Sequence, residues 1–377
     1  MNEDVSLGKI AGIRVGFNWS LLVVAALISW SLATSFLPSA APGHTSAEYW
    51  TAGVISAFDF LASLLAHELA HSIVAMSRGV KVEGITLWLF GGVSRISGDT
   101  NSPGTQALYT FVGPLTSLVL GAVFYLISIA IGGGSHPGLV PATLSWLGYI
   151  NFSLGIFNLV PAFPLDGGRL LQSLIWLRTG DRLRATRIAA RIGMGFGYLL
   201  IAYGLVTFIF TGSLIGGVWS AFLGWFLLNA ARSEEAGGLI RQALSRMSVR
   251  DVMTPNPVLA PDNISVEDAL HGYVLASRHS TFPTHDAGGR LSGLLTLRAL
   301  KNVAPGARAT TLIKDIACPL ASVSTVNPAD PAVNLLGASG DGCSDGRTLV
   351  VDGGNLVGII SPSDINRILQ RSVSGRA

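Results

Sequence analysis

The chain reads as an α-helical polytopic membrane protein with six transmembrane helices, followed by a soluble α/β domain built on an internal repeat. Composition, the placement of apolar runs and a repeated pattern near the C-terminus carry this reading. Of 377 residues, 49% are hydrophobic and 12% charged, about half the charged share of a soluble globular domain. The excess lies in six apolar runs, 17–37, 51–76, 108–132, 143–161, 192–210 and 214–231. Each is near the ~20 residues that carry a helix across a bilayer. Six such runs in the first 232 residues argue against buried helices of a large soluble protein.

Basic residues orient the runs. The connecting segments 38–50, 133–142 and 211–213 contain no Lys or Arg. Lys9, Arg14, Arg78, Lys81, Arg95, the group from Arg169 to Arg191, and Arg232 with everything after it fall on the other side. This asymmetry predicts a multi-pass protein of the cell (inner) membrane with both termini in the cytoplasm. The first run is followed by five more and reads as an anchor, so no cleaved signal peptide is expected. The basic stretch 178–191 is suited to anionic headgroups. The net charge of +3 is accounted for by these loops, and no nucleic-acid partner is expected. Cys318 and Cys343 are the two cysteines. Both fall on the cytoplasmic side, where free thiols are expected rather than a disulfide or a metal site.

Hydrophobic density drops after residue 232. Segment 233–247 is charged and Gly-containing, a linker or short helix. From 248 to 371 the chain repeats itself, in units of about 248–306 and 312–371. "VRDVMTPNPV" is echoed by "IKDIACPLAS", with Asp251 and Asp315 in register, and "LSGLLTLRAL" by "LVGIISPSDI", with Gly293 and Gly358 in register. Each unit is expected to run strand, helix, two strands, helix. These residues resemble a tandem CBS domain, a regulatory module that often binds adenosine nucleotides. The resemblance implies a turn, Gly-x-x-Ser/Thr-x-x-Asp, whose hydroxyl lies near phosphate and whose carboxylate grips ribose. The second unit has it as Gly358, Ser361 and Asp364; the first has Thr296 but Ala299 in place of the acid. Ser361 and Asp364 are therefore the candidate nucleotide contacts. The alternative is that the pair serves only as a platform for homodimerisation.

The second run contains "LLAHELAHSIVAM", residues 64–76. A charged side chain at membrane depth costs at least ~2.5–3.5 kcal/mol on insertion scales, so three ionisable groups within five positions need a reason. Helical geometry stacks His67 and His71 one turn apart on a single face, a spacing that holds one zinc ion. Glu68 between them can take a proton from an attacking water. Zinc lowers the water pKa to roughly 7 and polarises the carbonyl under attack. The competing explanations are a polar knot between helices and a proton relay.

A third ligand is expected in "NLVPAFPLDGGRLL", residues 158–171. Asp166 closes the fourth run, which runs in the same direction as the second. It therefore falls at the same cytoplasmic depth as His71, unless it is only a helix-end carboxylate. With these motifs in place the chain resembles the site-2 proteases, intramembrane zinc metalloproteases, in the branch with a C-terminal CBS pair. The resemblance implies one zinc per chain on His67, His71 and Asp166, with Glu68 as general base. It implies that Asn158, in the family's "N-x-x-P-x-x-P-x-D-G" pattern, helps hold substrate or its developing oxyanion; the alternative is an interhelical hydrogen bond. It also implies a membrane-spanning protein as substrate, cleaved near the cytoplasmic face. "LWLFGGV", residues 87–93, resembles the family's loop beside the active site, with strand character before a turn at Gly91–Gly92. "GPLTSLVLG", residues 113–121, is expected to permit close helix contact without taking part in the chemistry. The rival class is a CBS-regulated membrane transporter or channel whose charges line an ion path. His44 and His136 fall in external loops, and His271, His279 and His285 in the soluble part, all without an assigned role.

Overall fold

The computed structural model describes residues 4–89, 91–97, 102–132, 134, 137–277, 279–336, 342–364 and 367. His136 and most of the last predicted helix lie outside the described residues. The chain divides into two units, Met1–Gly238 and Leu239–Ala377.

In the first unit, strands β1 (Val5–Ile10) and β2 (Ile13–Phe17) precede helix α1 (Ser20–Ala40). Helix α2 (Ser46–Ser77) follows. It starts at a capping box in which Thr45 and Glu48 bond each other's backbone, closing two otherwise open N–H groups. Strands β3 (Lys81–Trp88) and β4 (Gly91–Ser97) come next, then helices α3 (Pro103–Ala130) and α4 (Leu139–Asn158). Helices α5 (Asp166–Thr179), α6 (Arg182–Thr211) and α7 (Leu214–Ser245) complete the order. Among the described residues, α1, α2, α3, α4 and α6 are long and apolar enough to cross a membrane. The sixth apolar run forms the first part of α7, which continues through most of the expected linker. The 14-residue α5 is too short to cross and was not foreseen as a separate helix.

The polarity of this unit is inverted relative to a water-soluble protein. Ser56, Ser72, Ser117 and Asn151 are fully buried, whereas Leu126, Leu199 and Phe210 are 63%, 69% and 80% exposed. A face of that kind suits hydrocarbon, where apolar contact between helices has no hydrophobic drive and close packing must hold them. Glycines provide it. A Cβ on Gly121 would lie 3.1 Å from the Gly148 carbonyl, and one on Gly204 only 2.5 Å from the Gly217 carbonyl of α7.

The four strands form one sheet in the order β1-β2-β3-β4. Strand β2 runs parallel to β3, and β3–β4 is an antiparallel hairpin paired from Lys81↔Ser97 to Trp88↔Gly91. The expected strand is present, but Gly91 and Gly92 are paired residues of β4 and the turn precedes them. The inner face of the sheet, Ile13, Ile85 and Leu87, packs on Leu21 and Ala25 of α1 and on Ala57, Leu61 and Leu64 of α2. This clamps β4, the last strand of the sheet, to the helix that carries the two histidines.

The second unit holds two four-stranded sheets that exchange strands. With β5 (Thr254–Pro255), β6 (Ala260–Pro261), β7 (Thr281–His285), β8 (Leu291–Thr296), β9 (Cys318–Pro319), β10 (Ser324–Val326), β11 (Thr348–Asp352) and β12 (Asn355–Ile360), the sheet orders are β6-β7-β8-β9 and β10-β11-β12-β5. Each repeat thus lends its first strand to the sheet of the other. The in-register acids occupy equivalent caps: Asp251 accepts from the Ser248 N–H at 2.8 Å and Asp315 from the Leu312 N–H at 3.3 Å. The bond from the Ser248 backbone holds the exposed Asp251 carboxyl below its ordinary pKa.

One expectation is overturned here. Cys318 and Cys343 form a disulfide, their Cα atoms 5.5 Å apart. The loan of β9 to the first sheet brings Cys318 beside the segment that leads into β11. A sequence separation of 25 residues gives no hint of that proximity, and the compartment argument concerns persistence rather than geometry. Non-reducing peptide mapping of protein alkylated at lysis is expected to recover a Cys318–Cys343 cross-linked peptide. For the membrane unit, Gly204→Val is expected to cost about 1–3 kcal/mol through overpacking. The readout is a lowered Tm in detergent, with no lowering in Gly237→Ala, where a Cβ meets open space and alanine favours the helix.

Candidate metal centre

Helix α2 presents His67 and His71 on one face, and α3 supplies the surface they lean on. The Nδ1 of His71 lies 2.7 Å from the Tyr109 carbonyl oxygen. A carbonyl only accepts, so this nitrogen carries the hydrogen and the neutral ring keeps its Nε2 lone pair bare. The Nδ1 of His67 is 2.8 Å from the Oγ of Ser117, which is itself fully buried. Both rings are thus held through their far nitrogens with Nε2 turned to a common point, the arrangement that fixes metal-ligating histidines.

Asp166 reaches that point from the other direction. It opens helix α5 immediately after the loop 159–165. The loop folds back so closely that a Cβ on Gly167 would collide with the Leu159 and Val160 carbonyls; one on Gly168 would lie 2.5 Å from the Phe163 nitrogen. Two successive glycines are therefore a steric condition for placing the aspartate. Its Oδ2 is 3.2 Å from His67 Nε2 and 3.2 Å from His71 Nε2, and the two nitrogens are 3.1 Å apart. Tetrahedral ligands at about 2.0–2.1 Å from zinc are separated by roughly 3.3–3.4 Å. The triangle is within a few tenths of an ångström of that shape, and the nitrogen–nitrogen–oxygen donor set suits zinc with one position open. Among the described residues this trio is the one cluster of His, Cys, Asp or Glu able to hold a metal ion.

Gly113 makes room for the centre. A Cβ there would collide with His71 Nε2 and stand 2.8 Å from His67 Nε2. The expected close helix contact is therefore real, and what it admits is the pair of imidazoles. Glu68, 9% exposed, accepts a hydrogen bond from the Ser94 hydroxyl of β4 at 2.9 Å. Asn158, the last residue of α4, donates from its amide to the Leu154 carbonyl at 3.1 Å. The structure brings His67, His71 and Asp166 together and sets Glu68 between the histidines and β4. Among the described residues it gives Asn158 no bond to the trio. Ser94, Ser117 and the Tyr109 carbonyl were not singled out from sequence. A serine four positions after Gly113 was the available signal for Ser117; nothing local marks a carbonyl.

In the second unit, the Asp364 carboxylate is 7% exposed and fully engaged. It accepts from the Ser361 N–H at 2.9 Å, the Ser361 hydroxyl at 2.6 Å, the Thr254 hydroxyl at 3.2 Å and Arg367. A cavity of about 370 Å³ lies at the corresponding turn of the first repeat, lined by Thr296, Arg298, Ala299, Asn302, Val303, Ile316 and the two cysteines.

Comparison with known proteins agrees with this picture. The family profile "Peptidase family M50" matches residues 55–137 and 129–200, and the CBS domain profile matches 249–306. The Mycobacterium tuberculosis protein Rip3, which bears the name of a zinc metalloprotease, is 45% identical over 369 residues, covering 98% of this chain and 93% of its own. A Synechocystis protein similarly named is 33% identical over 308 residues, 80% of this chain and 79% of its own. Among solved structures, the site-2 protease from Methanocaldococcus jannaschii aligns at 27% identity and a TM-score of 0.42, over 61% of this chain and 94% of that one. The transporter alternative falls away. A metal-shaped trio within a multi-pass helical unit and a relative matched nearly end to end lead to one assignment: the chain belongs to peptidase family M50, as a membrane zinc metalloprotease that carries a CBS domain.

Proposed function

We propose that His67, His71 and Asp166 hold the zinc and that Glu68 is the general base in cleavage of a membrane-spanning protein near the cytoplasmic face. The observation that carries the reading is the triangle of ligand atoms with sides of 3.1, 3.2 and 3.2 Å. When bound, zinc supplies an acidified water and a polarised carbonyl. Glu68 takes the proton of the attacking water and hands it to the departing amine. Asn158 keeps a second amide hydrogen beyond the one given to Leu154, and we assign that hydrogen to the substrate carbonyl as charge develops on its oxygen. Strand β4 ends its sheet, so a substrate segment unwound from its helix can add to it as a further strand.

The charge asymmetry supports six spans, counting the first part of α7, with both termini in the cytoplasm. The membrane domain 1–232 then carries the chemistry, while 248–371, joined through 233–247, lies on the side where the released fragment emerges. That pair would regulate cleavage by binding an adenosine nucleotide at Ser361 and Asp364, or by pairing with a second copy. Binding at Asp364 requires ribose hydroxyls to replace the Thr254 and Arg367 partners of its outer oxygen.

Glu68→Gln is expected to keep about one zinc per chain by elemental analysis. Cleavage of a co-expressed membrane substrate should fall by about 10²–10⁴-fold, the usual contribution of a positioned base; full activity refutes the assignment. His67→Ala should lose the zinc as well. In calorimetric titration of the whole chain with ATP, ADP and AMP, Asp364→Ala is expected to abolish the heat seen with the native protein. No heat in either leaves only the pairing role.

A further inference from the structure

Both histidine ligands are held by visible partners, but a glutamate base has three rotatable bonds and needs its own restraint. In this protein the restraint comes from outside helix α2. The Ser94 hydroxyl donates to Glu68 Oε2 at 2.9 Å. Its oxygen lies 3.2 Å from the Ser72 hydroxyl. Because the single hydrogen of Ser94 is given to the carboxylate, Ser72 is the donor in the second bond. Ser72 is four residues after Glu68 on α2, on the same helix face, and is fully buried. The three side chains form a closed bridge from α2 to β4 and back.

Strand β4 touches the base a second time. Gly92 and Ser94 are two apart and share a face of the strand. A Cβ on Gly92 would collide with Glu68 Cγ and stand 2.8 Å from Oε1. Gly92 is therefore a floor under the carboxylate, and Ser94 a donor that takes one of its oxygens, leaving the other to work. Ser94 is itself in register with Ile85 of β3, a residue of the core that packs on α2.

We propose that Ser94, with Ser72 behind it, is the positioning residue of the catalytic base, so that the strand at the edge of the sheet also sets the orientation of Glu68. This rests on the reading of Glu68 as base. The Ser94 hydroxyl faces Glu68, so its loss acts on turnover rather than on substrate affinity. A hydrogen bond to a charged group in a buried setting corresponds to about 10- to 100-fold.

The test compares Ser94→Ala, Ser94→Thr and Glu68→Gln in purified whole protein. Ser94→Ala is expected to lower kcat by about 10- to 100-fold with KM nearly unchanged, one zinc retained and the Tm within a few degrees. Ser94→Thr restores the hydroxyl and should recover most of kcat. In metal-stripped protein, hydrogen exchange at the Gly91–Ser94 amides should quicken in Ser94→Ala and return to native rates in Ser94→Thr. Native kcat in Ser94→Ala, or equal loss in Ser94→Thr and Ser94→Ala, overturns the proposal while Glu68→Gln remains inactive. Activity in Glu68→Gln instead removes the reading on which it rests. Should Ser94→Ala fail to fold, Ser94→Cys, a near-isosteric and weaker donor, is expected at intermediate kcat, and native kcat there overturns the proposal equally.

Discussion

Everything in the membrane unit is arranged around bringing two imidazoles and a carboxylate to one point inside a helical bundle. Taken singly, each is costly at that depth. Together, with Nε2 of both rings and Oδ2 of Asp166 at mutual distances of 3.1–3.2 Å, they form a donor set whose lone pairs a cation can satisfy. Other features read as conditions for that meeting. Gly113 removes a side chain that would fill the space. Gly167 and Gly168 let the loop before α5 fold tightly enough to aim the aspartate, while Ser117 and the Tyr109 carbonyl hold the rings by their far nitrogens.

The sheet is the second structural commitment. A four-stranded sheet at a membrane protein's active site is tolerable only where its backbone is paired or covered by protein. Here β2 and β3 are interior strands, and the inner face of the sheet is buried against α1 and α2. The sheet ends in two edge strands, β1 and β4, and β4 is the one next to Glu68. Proteolysis requires an extended substrate, and an open strand edge is the element that binds extended peptide through backbone bonds. In the proposed reading, one strand serves both as a support for Glu68 and as a surface for substrate.

Legibility differed between elements for physical reasons. The meeting of the histidine pair with Asp166 was readable because helical period and the direction of the apolar runs constrain where these residues fall. The apolar runs were readable because hydrocarbon thickness sets their length, although α5 escaped notice. Its 14 residues carry no bilayer-length signal. Strands β1 and β2 were missed, being short and in part polar, and the hairpin turn was placed one step late because glycine suggests a turn even where it serves close approach. The disulfide was misjudged because strand exchange between the repeats is a long-range event.

By itself, then, the order of residues determined the membrane character, the face of α2 that carries both histidines and the existence of two repeats. These depend on periodicity, hydropathy and charge, which are local. Only the tertiary structure decided that α3 supplies the partners of both rings, that glycine is required at Gly92 and Gly113, that Ser94 bonds Glu68, and that Cys318 meets Cys343. Each of those is a contact between segments far apart in the chain, selected by packing, and no local pattern encodes which distant neighbour a side chain will meet.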